Sequence, residues 1–247
     1  MMEIITRRNP VLETLRAQRR TIHCLWVQQG ADKKLTRPLL VEARKHGVQI
    51  KTVDKQKLSK LAGDGKHQGV VLEVSRYPYS DVDAMLALAQ ERGERPFLLI
   101  LDLLHGPQNI GTLLRTAEIV GVHGVILQDR RAPEITQSVV QYAAGATEHL
   151  HIAQVTNLVT TIKQLQANDI WIVGMDLAEG ATSLADTDLN MGIGIVVGHE
   201  GQGMRRLVRE NCDIRLHLPQ KGHVQSLNAS VAGSILLYTA WQAREFK

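Results

Sequence analysis

Three glycine- and amide-rich segments carry the side chains best suited to chemistry. They are HGPQNIGTLLR after Leu104, GHEGQGM after Val197 and PQKGHVQSLN after Leu218, and all three end at the start of a predicted helix. Each follows an apolar stretch with the pattern of a strand. In open α/β sheets, ligands bind beyond the carboxyl ends of the strands. We therefore expect the three segments to form one ligand site from backbone and amide groups.

The spacing within these segments argues against several familiar site types. GHEGQG has the form G-x-x-G-x-G, which matches neither the dinucleotide fingerprint nor the phosphate-binding loop. The G-x-S-x-G elbow of serine hydrolases is missing, and His199, His217 and His223 do not have the spacing of zinc ligands. We therefore expect no metal, and no NAD or ATP bound in the usual manner.

Taken singly, the candidate residues have ordinary explanations. A helix cap accounts for Asn109, and an exposed helix face accounts for Arg115, which lies six residues further on, about 240° around a helix axis. Turn geometry accounts for the glycines Gly198, Gly201 and Gly203. Together, three unusual loops after three strands favour a shared site.

The segment SLNASVAGSILLY poses the same choice near the end of the chain. Its apolar residues recur at helical spacing, and Ser226 is a suitable N-cap for the helix. Asn228 is then either a second capping group or a residue that faces a ligand.

Composition places the chain among ordinary globular proteins. It has 247 residues, 44% of them hydrophobic, and only two cysteines, Cys24 and Cys212, neither in a CxxC pair. Two distant thiols predict a reducing compartment rather than a disulfide scaffold. No apolar run approaches the roughly 20 residues of a membrane span, and the N-terminus has no signal-peptide pattern. We predict a cytoplasmic protein.

The charge is distributed unevenly. Residues 1–75 carry 15 Lys and Arg against 7 Asp and Glu, whereas residues 76–247 carry 14 against 18. A basic front end on a mildly acidic body predicts an anionic partner for the front end, most simply nucleic acid. A solvated basic surface without a partner is the alternative.

The pattern of elements predicts two α/β domains and a linker. Residues 1–75 read as a small domain with helices NPVLETLRAQ (Asn9 as N-cap), KLTRPLLVEARKHG and KQKLSKLAG between the strands TIHCLWVQ, VQIKTV and HQGVVLEV. Residues 76–95 form the linker, with a short helix at 85–90. Residues 96–247 alternate strands and helices, including a helix EITQSVVQYAAGA, which predicts a parallel, doubly wound sheet.

The three segments together resemble the motifs of one known family. NIGTLLR fits the pattern N-x-G-x-x-x-R with Asn109, Gly111 and Arg115, while GHEGQGM and SLNASVA resemble the second and third motifs of the same family. In order and spacing they resemble the SpoU (TrmH-like) branch of the SPOUT superfamily, whose members transfer methyl groups from S-adenosylmethionine to ribose 2′-hydroxyls of RNA. The match covers residues 96–247. The first domain is similar to the ribosomal-protein-like substrate-binding domain of members that act on a guanosine of large-subunit ribosomal RNA.

The resemblance implies a fold and a cofactor site. Family members fold the last part of the chain into a deep trefoil knot and hold S-adenosylmethionine bent within it, mainly by backbone groups. Glycine at 198 would let the main chain approach that ligand closely. By position, the implied contacts are Gly198, Leu218 and Leu227, with Glu200, Gly203 and Ser226 nearby.

The resemblance also implies catalytic residues and an assembly. Arg115 would anchor a phosphate and stabilise the developing alkoxide, although the family is sometimes described with this arginine as the base. Asn109, Glu200 and Asn228 would orient Arg115 and the ribose. The family further implies a homodimer in which the last helix packs across the interface; an ordinary core helix is the alternative.

Two departures and three competing functions remain open. Relatives carry a glycine-containing segment where this chain has RRNPVLETL, and often a small residue in place of His199. A transfer RNA methyltransferase of the same branch, a resistance-type methylase that acts on a ribosomal adenosine, and a non-catalytic RNA-binding protein are the alternatives. The last predicts decay of the motif residues, yet all four proposed catalytic residues are present.

Overall fold

The computed structural model describes residues 2–63, 66–129, 134–176, 180–224 and 226–246. Their contacts divide the chain into two compact units. The N-terminal unit combines Met1–Pro78 with Ile135–His149, and the C-terminal unit combines Tyr79–Glu134 with Leu150–Lys247. Leu177 of the predicted strand IWIVGMDL and Gln225 of the third loop lie outside the described residues.

The elements follow one another as strands and helices with short connections. The first are β1 (Met2–Thr6), α1 (Arg8–Ala17), β2 (Ile22–Gln28), α2 (Lys33–Lys45), β3 (Gln49–Val53), α3 (Lys55–Ala62), β4 (Val70–Ser75), α4 (Val82–Arg92), β5 (Phe97–Leu101), α5 (Pro107–Ile119), β6 (Gly124–Gln128) and α6 (Gln137–Tyr142). After a short 3₁₀ turn come β7 (Ile152–Val155), α7 (Leu158–Gln166), β8 (Trp171–Met175), β9 (Thr182–Ser183), β10 (Ile193–Val197), α8 (Arg206–Glu210), β11 (Ile214–His217) and α9 (Ala229–Ala243).

The N-terminal unit contains the predicted α/β pattern and one strand more. Its sheet has the order β1-β4-β2-β3, with β2 and β3 parallel and the other pairs antiparallel. β1 was not predicted, because only its last two residues, Ile5 and Thr6, are fully buried and its pattern is short. It completes the sheet by pairing along the whole of Met2–Thr6 with β4.

The start of α1 differs from the prediction. The N-cap is Arg7, with φ of 71°, so Asn9 lies inside the helix and Pro10 is its third residue instead of its first. The backbone N–H groups of the first helical turn have no intrahelical partner, so proline in this turn removes no helical hydrogen bond.

The segment Ile135–His149 belongs by its contacts to the N-terminal unit, whereas the predicted domains assigned it to residues 96–247. The predicted helix EITQSVVQYAAGA is shorter, since Ala144 and Gly145 have φ of 54° and 93°. A Cβ on Gly145 would lie 2.7 Å from the Cβ of Glu13, so α1 requires glycine here. Glu148, 2% exposed, binds Arg20 through two hydrogen bonds of 2.8 and 2.9 Å.

The C-terminal unit is built on a seven-stranded sheet with the order β7-β6-β5-β10-β8-β11-β9, and all its strand pairs are parallel. This confirms the predicted parallel α/β class. All residues of β5 and β10 are buried, which explains their uninterrupted apolar sequences. The residues 85–90, predicted as a helix within a linker, lie in α4, whose Met85 is fully buried in the core of this unit.

Among the described residues, no helix is long and apolar enough to cross a membrane.

Candidate functional site

A pocket of about 270 Å³ opens at the carboxyl ends of β8, β10 and β11. All the residues predicted to contact or neighbour the cofactor line it: Gly198, Glu200, Gly203, Leu218, Ser226 and Leu227. Two of the three sequence segments, from regions 198–203 and 218–227, therefore meet at one concave surface, where ligands of parallel sheets are expected.

Gly198 is required by the chain itself. A Cβ at this position would lie 2.4 Å from the carbonyl carbon of Gly203 and 2.5 Å from the backbone N of Met204. His199 and Gly203 also exchange two backbone hydrogen bonds, of 3.0 and 2.9 Å. The prediction attributed this glycine to the approach of a ligand; in the structure it lets the loop after β10 fold tightly onto itself.

Three of the four predicted catalytic residues are joined by hydrogen bonds. The Asn109 amide donates from Nδ2 to Glu200 Oε1 at 2.5 Å, and Asn109 Oδ1 accepts from Asn228 Nδ2 at 3.1 Å. Asn109 lies in the first turn of α5, Glu200 in the loop after β10, and Asn228 directly before α9. The amide of Asn109 thus links all three sequence motifs.

Asn228, not Ser226, is the N-cap of α9. Its Oδ1 accepts hydrogen bonds from the backbone N–H groups of Ser230 and Val231, at 2.9 and 3.3 Å. The expected cap Ser226 lies two residues too early, because the helix begins only at Ala229. This confirms the capping alternative, and the Nδ2 of the same side chain also holds Asn109.

Arg115 is not part of this network. It lies six residues after Asn109 on α5, is exposed, and makes no hydrogen bond or ion pair with any residue that the structure describes. Its guanidinium is therefore available to an anionic group from outside the chain.

Sequence reasoning missed an ion pair between a buried aspartate and a partly exposed arginine, next to the two loops. Asp102 follows β5 directly and is fully buried. Its carboxylate accepts from the backbone N–H of Arg205 at 2.8 Å and from the Arg205 guanidinium Nε and Nη2, both at 2.6 Å. Asp102 also donates its own N–H to the carbonyl of Val197 at 2.9 Å. The charged residue at the end of the apolar run LLILD was the available signal, but its partner is more than a hundred residues away.

His199 is held in the second loop by a hydrogen bond to its own loop backbone. Its Nδ1 accepts the N–H of Gly201 at 3.1 Å, which places the ring proton on Nε2 in the neutral form. Its ring lies edge-on to that of His105, with centroids 5.9 Å apart. Within the part of the chain that the structure describes, no group of three or more His, Cys, Asp or Glu side chains is placed to hold a metal ion.

Comparison with known families identifies the C-terminal part of the chain. The profile of the SpoU rRNA Methylase family matches residues 96–238. The chain belongs to this family. Residues 7–80 match a second family, described as RNA 2′-O ribose methyltransferase substrate binding.

A curated relative extends the match over the full length. A Bacillus subtilis protein assigned to the TrmH family of tRNA/rRNA methyltransferases is 40% identical over 237 residues, which are 96% of this chain and 94% of the relative.

Two solved structures resemble the fold. The SpoU methyltransferase AviRb from Streptomyces viridochromogenes, solved with its cofactor AdoMet (S-adenosylmethionine), superposes with a TM-score of 0.81 at 22% identity, covering 100% of this chain and 92% of that one. The TrmH/SpoU tRNA modifying enzyme of A. aeolicus has a TM-score of 0.55 at 26% identity and covers 66% of this chain and 84% of its own.

Proposed function

We propose that this SpoU family protein transfers the methyl group of S-adenosylmethionine to the ribose 2′-hydroxyl of a guanosine in large-subunit ribosomal RNA. The observation that carries the proposal is the arrangement of the three motifs. Residues of both the second and the third motif line one pocket, and Asn109 of the first motif is hydrogen-bonded to Glu200 on the wall of that pocket.

The residues of the pocket fit S-adenosylmethionine. Its volume of about 270 Å³ is near the lower end of the range for small-molecule sites, roughly 300–1,000 Å³. The apolar side chains of Leu218 and Leu227 suit an adenine ring, and the carboxylate of Glu200 suits a positively charged sulfonium. The backbone of Gly198 and Gly203 offers main-chain groups to the ligand. When bound, the cofactor supplies an activated methyl group.

The chain's own residues would hold the ribose hydroxyl in line, and such positioning lowers the activation barrier by several kcal/mol. Asn109, fixed between Glu200 and Asn228, orients the sugar. Arg115, exposed and without a partner among the described residues, binds a phosphate of the RNA and stabilises the developing alkoxide. Guanidinium groups are in general poor bases, so the positive charge is the more effective contribution of Arg115.

Ribosomal RNA is favoured over transfer RNA by the N-terminal unit. Residues 7–80 match a substrate-binding family, and the family matched by residues 96–238 is described as an rRNA methylase family. The tRNA modifying enzyme of A. aeolicus covers only 66% of this chain. An additional substrate-binding domain suits a large RNA target.

A homodimer through the last helix is part of the same proposal. Val231, Ile235 and Tyr238 lie on one stripe of α9, at spacings of four and three residues, and are 46%, 40% and 49% exposed. An apolar stripe of this kind on a single helix favours burial against a second copy. The knot and the cytoplasmic location remain predictions.

The test is mass spectrometry of nucleosides. Ribosomal and transfer RNA from a strain without the gene are incubated with the protein and S-adenosylmethionine, in parallel with Arg115→Ala and with Arg206→Ala, an exposed arginine outside the site, as the matched control. We expect 2′-O-methylguanosine in ribosomal RNA alone, lost with Arg115→Ala and retained with Arg206→Ala.

Other outcomes identify the alternatives. Methylated adenosine would assign the resistance-type activity, and a transfer RNA product would assign that substrate. Without any product from naked RNA or pre-ribosomal particles, despite calorimetric binding of S-adenosylmethionine, the methyltransferase proposal fails and the non-catalytic RNA-binding function takes its place.

A further inference from the structure

Two exposed lysines lie over one tryptophan ring in the N-terminal unit, and two further exposed lysines lie on the same helix as one of them. This lysine surface consists of Lys51 on β3 and Lys55, Lys57 and Lys60 on α3, all exposed. The Nζ atoms of Lys51 and Lys57 lie 4.9 and 5.6 Å from the centroid of the Trp26 ring. Residues 51–60 contain these four lysines and a single acidic residue.

The fold itself enforces this arrangement. Trp26 lies opposite Lys51 in the parallel register of β2 and β3, and β3 is an edge strand. The helix α3 follows β3 almost directly, and its Leu58 and Ala62 pack with Trp26 in one core cluster. The inner face of α3 is thereby fixed on the sheet, while its lysines remain in solvent.

Some basic residues elsewhere in this unit have acidic partners. Arg16 pairs with Glu13 and Lys45 with Glu42, at 2.8 and 3.0 Å. In contrast, none of the four lysines of the surface makes an ion pair with the residues that the structure describes. The carboxylate of Asp54 accepts the backbone N–H of Lys57 at 2.8 Å as the cap of α3, and so is directed to the helix end.

Glu73 is a second acidic residue near this surface among the residues that the structure describes. Glu73 lies opposite Cys24 in the register of β2 and β4, two residues along from Trp26. It makes no ion pair with Lys51 among the described residues. Two ammonium groups over one ring repel each other, and at an exposed site the attraction of each to the ring is weak. An anion bound between them would lower this repulsion.

We propose that the lysine surface binds phosphate groups of the RNA backbone. The proposal rests on RNA being the substrate of the function above, and it assigns a place on the N-terminal unit to the substrate's backbone. Lysine presents a compact point charge, and contacts to phosphates carry no sequence information, so the surface contributes affinity rather than sequence preference. Trp26 holds two of the charges close together.

The experiment is fluorescence anisotropy with a labelled single-stranded RNA of mixed sequence, using the full chain. The test variant is Lys51→Gln with Lys57→Gln. The matched control is Lys33→Gln with Lys34→Gln, which removes the same charge from exposed lysines of α2. Each lost phosphate contact lowers the slope of log Kd against log salt by about 0.7 for a single strand.

We expect the slope of the test variant to fall by about 1.4 and its Kd in low salt to rise on the order of ten-fold, with the control close to wild type. Equal losses in both variants would overturn the proposal, because net charge alone would then explain binding. Displacement of the RNA from the protein by poly-L-glutamate at matched charge concentration would also overturn the proposal, because the surface would then suit an acidic protein.

Methyl transfer separates this inference from the proposed function. With ribosomal RNA as substrate, the test variant is expected to raise the KM for RNA and leave kcat unchanged. If the wild-type protein transfers no methyl group, the proposed function fails while the anisotropy result still decides the lysine surface. Thermal unfolding of both variants at the wild-type temperature excludes a folding defect.

Discussion

The carboxylate of Asp102, fully buried, holds Arg205 by both its backbone N–H and its guanidinium. The two residues mark the limits of the loops that form the site: Asp102 begins the loop between β5 and α5, and Arg205 ends the loop between β10 and α8. The hydrogen bond from Asn109 to Glu200 joins α5 to the second of these loops. We infer that the ion pair fixes the two loops relative to each other.

Asp102→Asn is therefore expected to destabilise the protein and weaken cofactor binding together. Removing one charge of a buried ion pair lowers the free energy of unfolding by about 3 kcal/mol. The loss is smaller here, because Arg205 is 35% exposed and water can solvate its charge. Urea unfolding measures the free energy, and calorimetry measures the Kd for S-adenosylmethionine. The control is Arg206→Gln, which breaks an exposed pair with Glu210 and should cost under about 1 kcal/mol. Equal effects of the two variants would contradict the inference.

The two roles of Asn228 are separable by substitution. Asn228→Ala removes the cap of α9 and should cost about 1 kcal/mol of unfolding free energy, whereas Asn228→Ser keeps a capping oxygen and should cost much less. Both variants lose the Nδ2 donor to Asn109. If that bond orients the ribose, both should therefore lose methyl transfer to a similar extent.

The control for the cap is Ser226→Ala. Ser226 lies outside α9, so its hydroxyl should contribute nothing to the free energy of unfolding. The opposite result would identify Ser226 as the cap: Ser226→Ala would lower the free energy of unfolding by about 1 kcal/mol, and Asn228→Ala would leave it unchanged.

Local sequence patterns predicted the features that depend on residues close together in the chain. The strand 124–128 was predicted with the bounds that it has, because GVILQ is a short apolar run between turn residues. The loops of the site were found because glycine and amide side chains cluster directly after strands. Each of these features depends on a segment of only about ten residues.

Contacts between residues that are far apart in the sequence produce no local pattern from which they could be predicted. Arg20 and Glu148 are 128 positions apart, and their bond helps to place Ile135–His149 in the N-terminal unit. Likewise, a single aspartate after β5 does not reveal that its partner is Arg205. The cap of α9 was misplaced by two residues because Ser226 and Asn228 are both good capping residues, and only tertiary contacts choose between them.

Gly198 should tolerate no side chain, whereas Gly201 in the same loop should. A Cβ at Gly198 would lie 2.4 Å from the main chain of Gly203, while at Gly201 the nearest atom is His199 Nδ1 at 3.9 Å. We expect Gly198→Ala to cost about 2 kcal/mol or more and to weaken binding of S-adenosylmethionine, since backbone atoms must move. Gly201→Ala is the matched control and should unfold close to the wild-type temperature. Equal melting temperatures would contradict the tight turn.

Cys212 should be an unreactive thiol that destabilises the fold only at high pH. Burial, with nearby Asp213 adding to it, raises the pKa of Cys212 to about 12 from its usual 9. Only the thiolate reacts with Ellman's reagent, so we expect no modification of Cys212 at pH 8 until urea is added. Because the folded pKa exceeds the unfolded one, stability is unaffected below pH 9 and declines as the pH rises from 9 towards 12. Cys212→Ala should reduce this alkaline decline, measured by urea unfolding at pH 8 and 10. Burial also raises the pKa of Cys24. The control variant is Cys24→Ala, which leaves Cys212 as the sole thiol. Rapid modification of Cys212 in this variant at pH 8 would contradict the prediction.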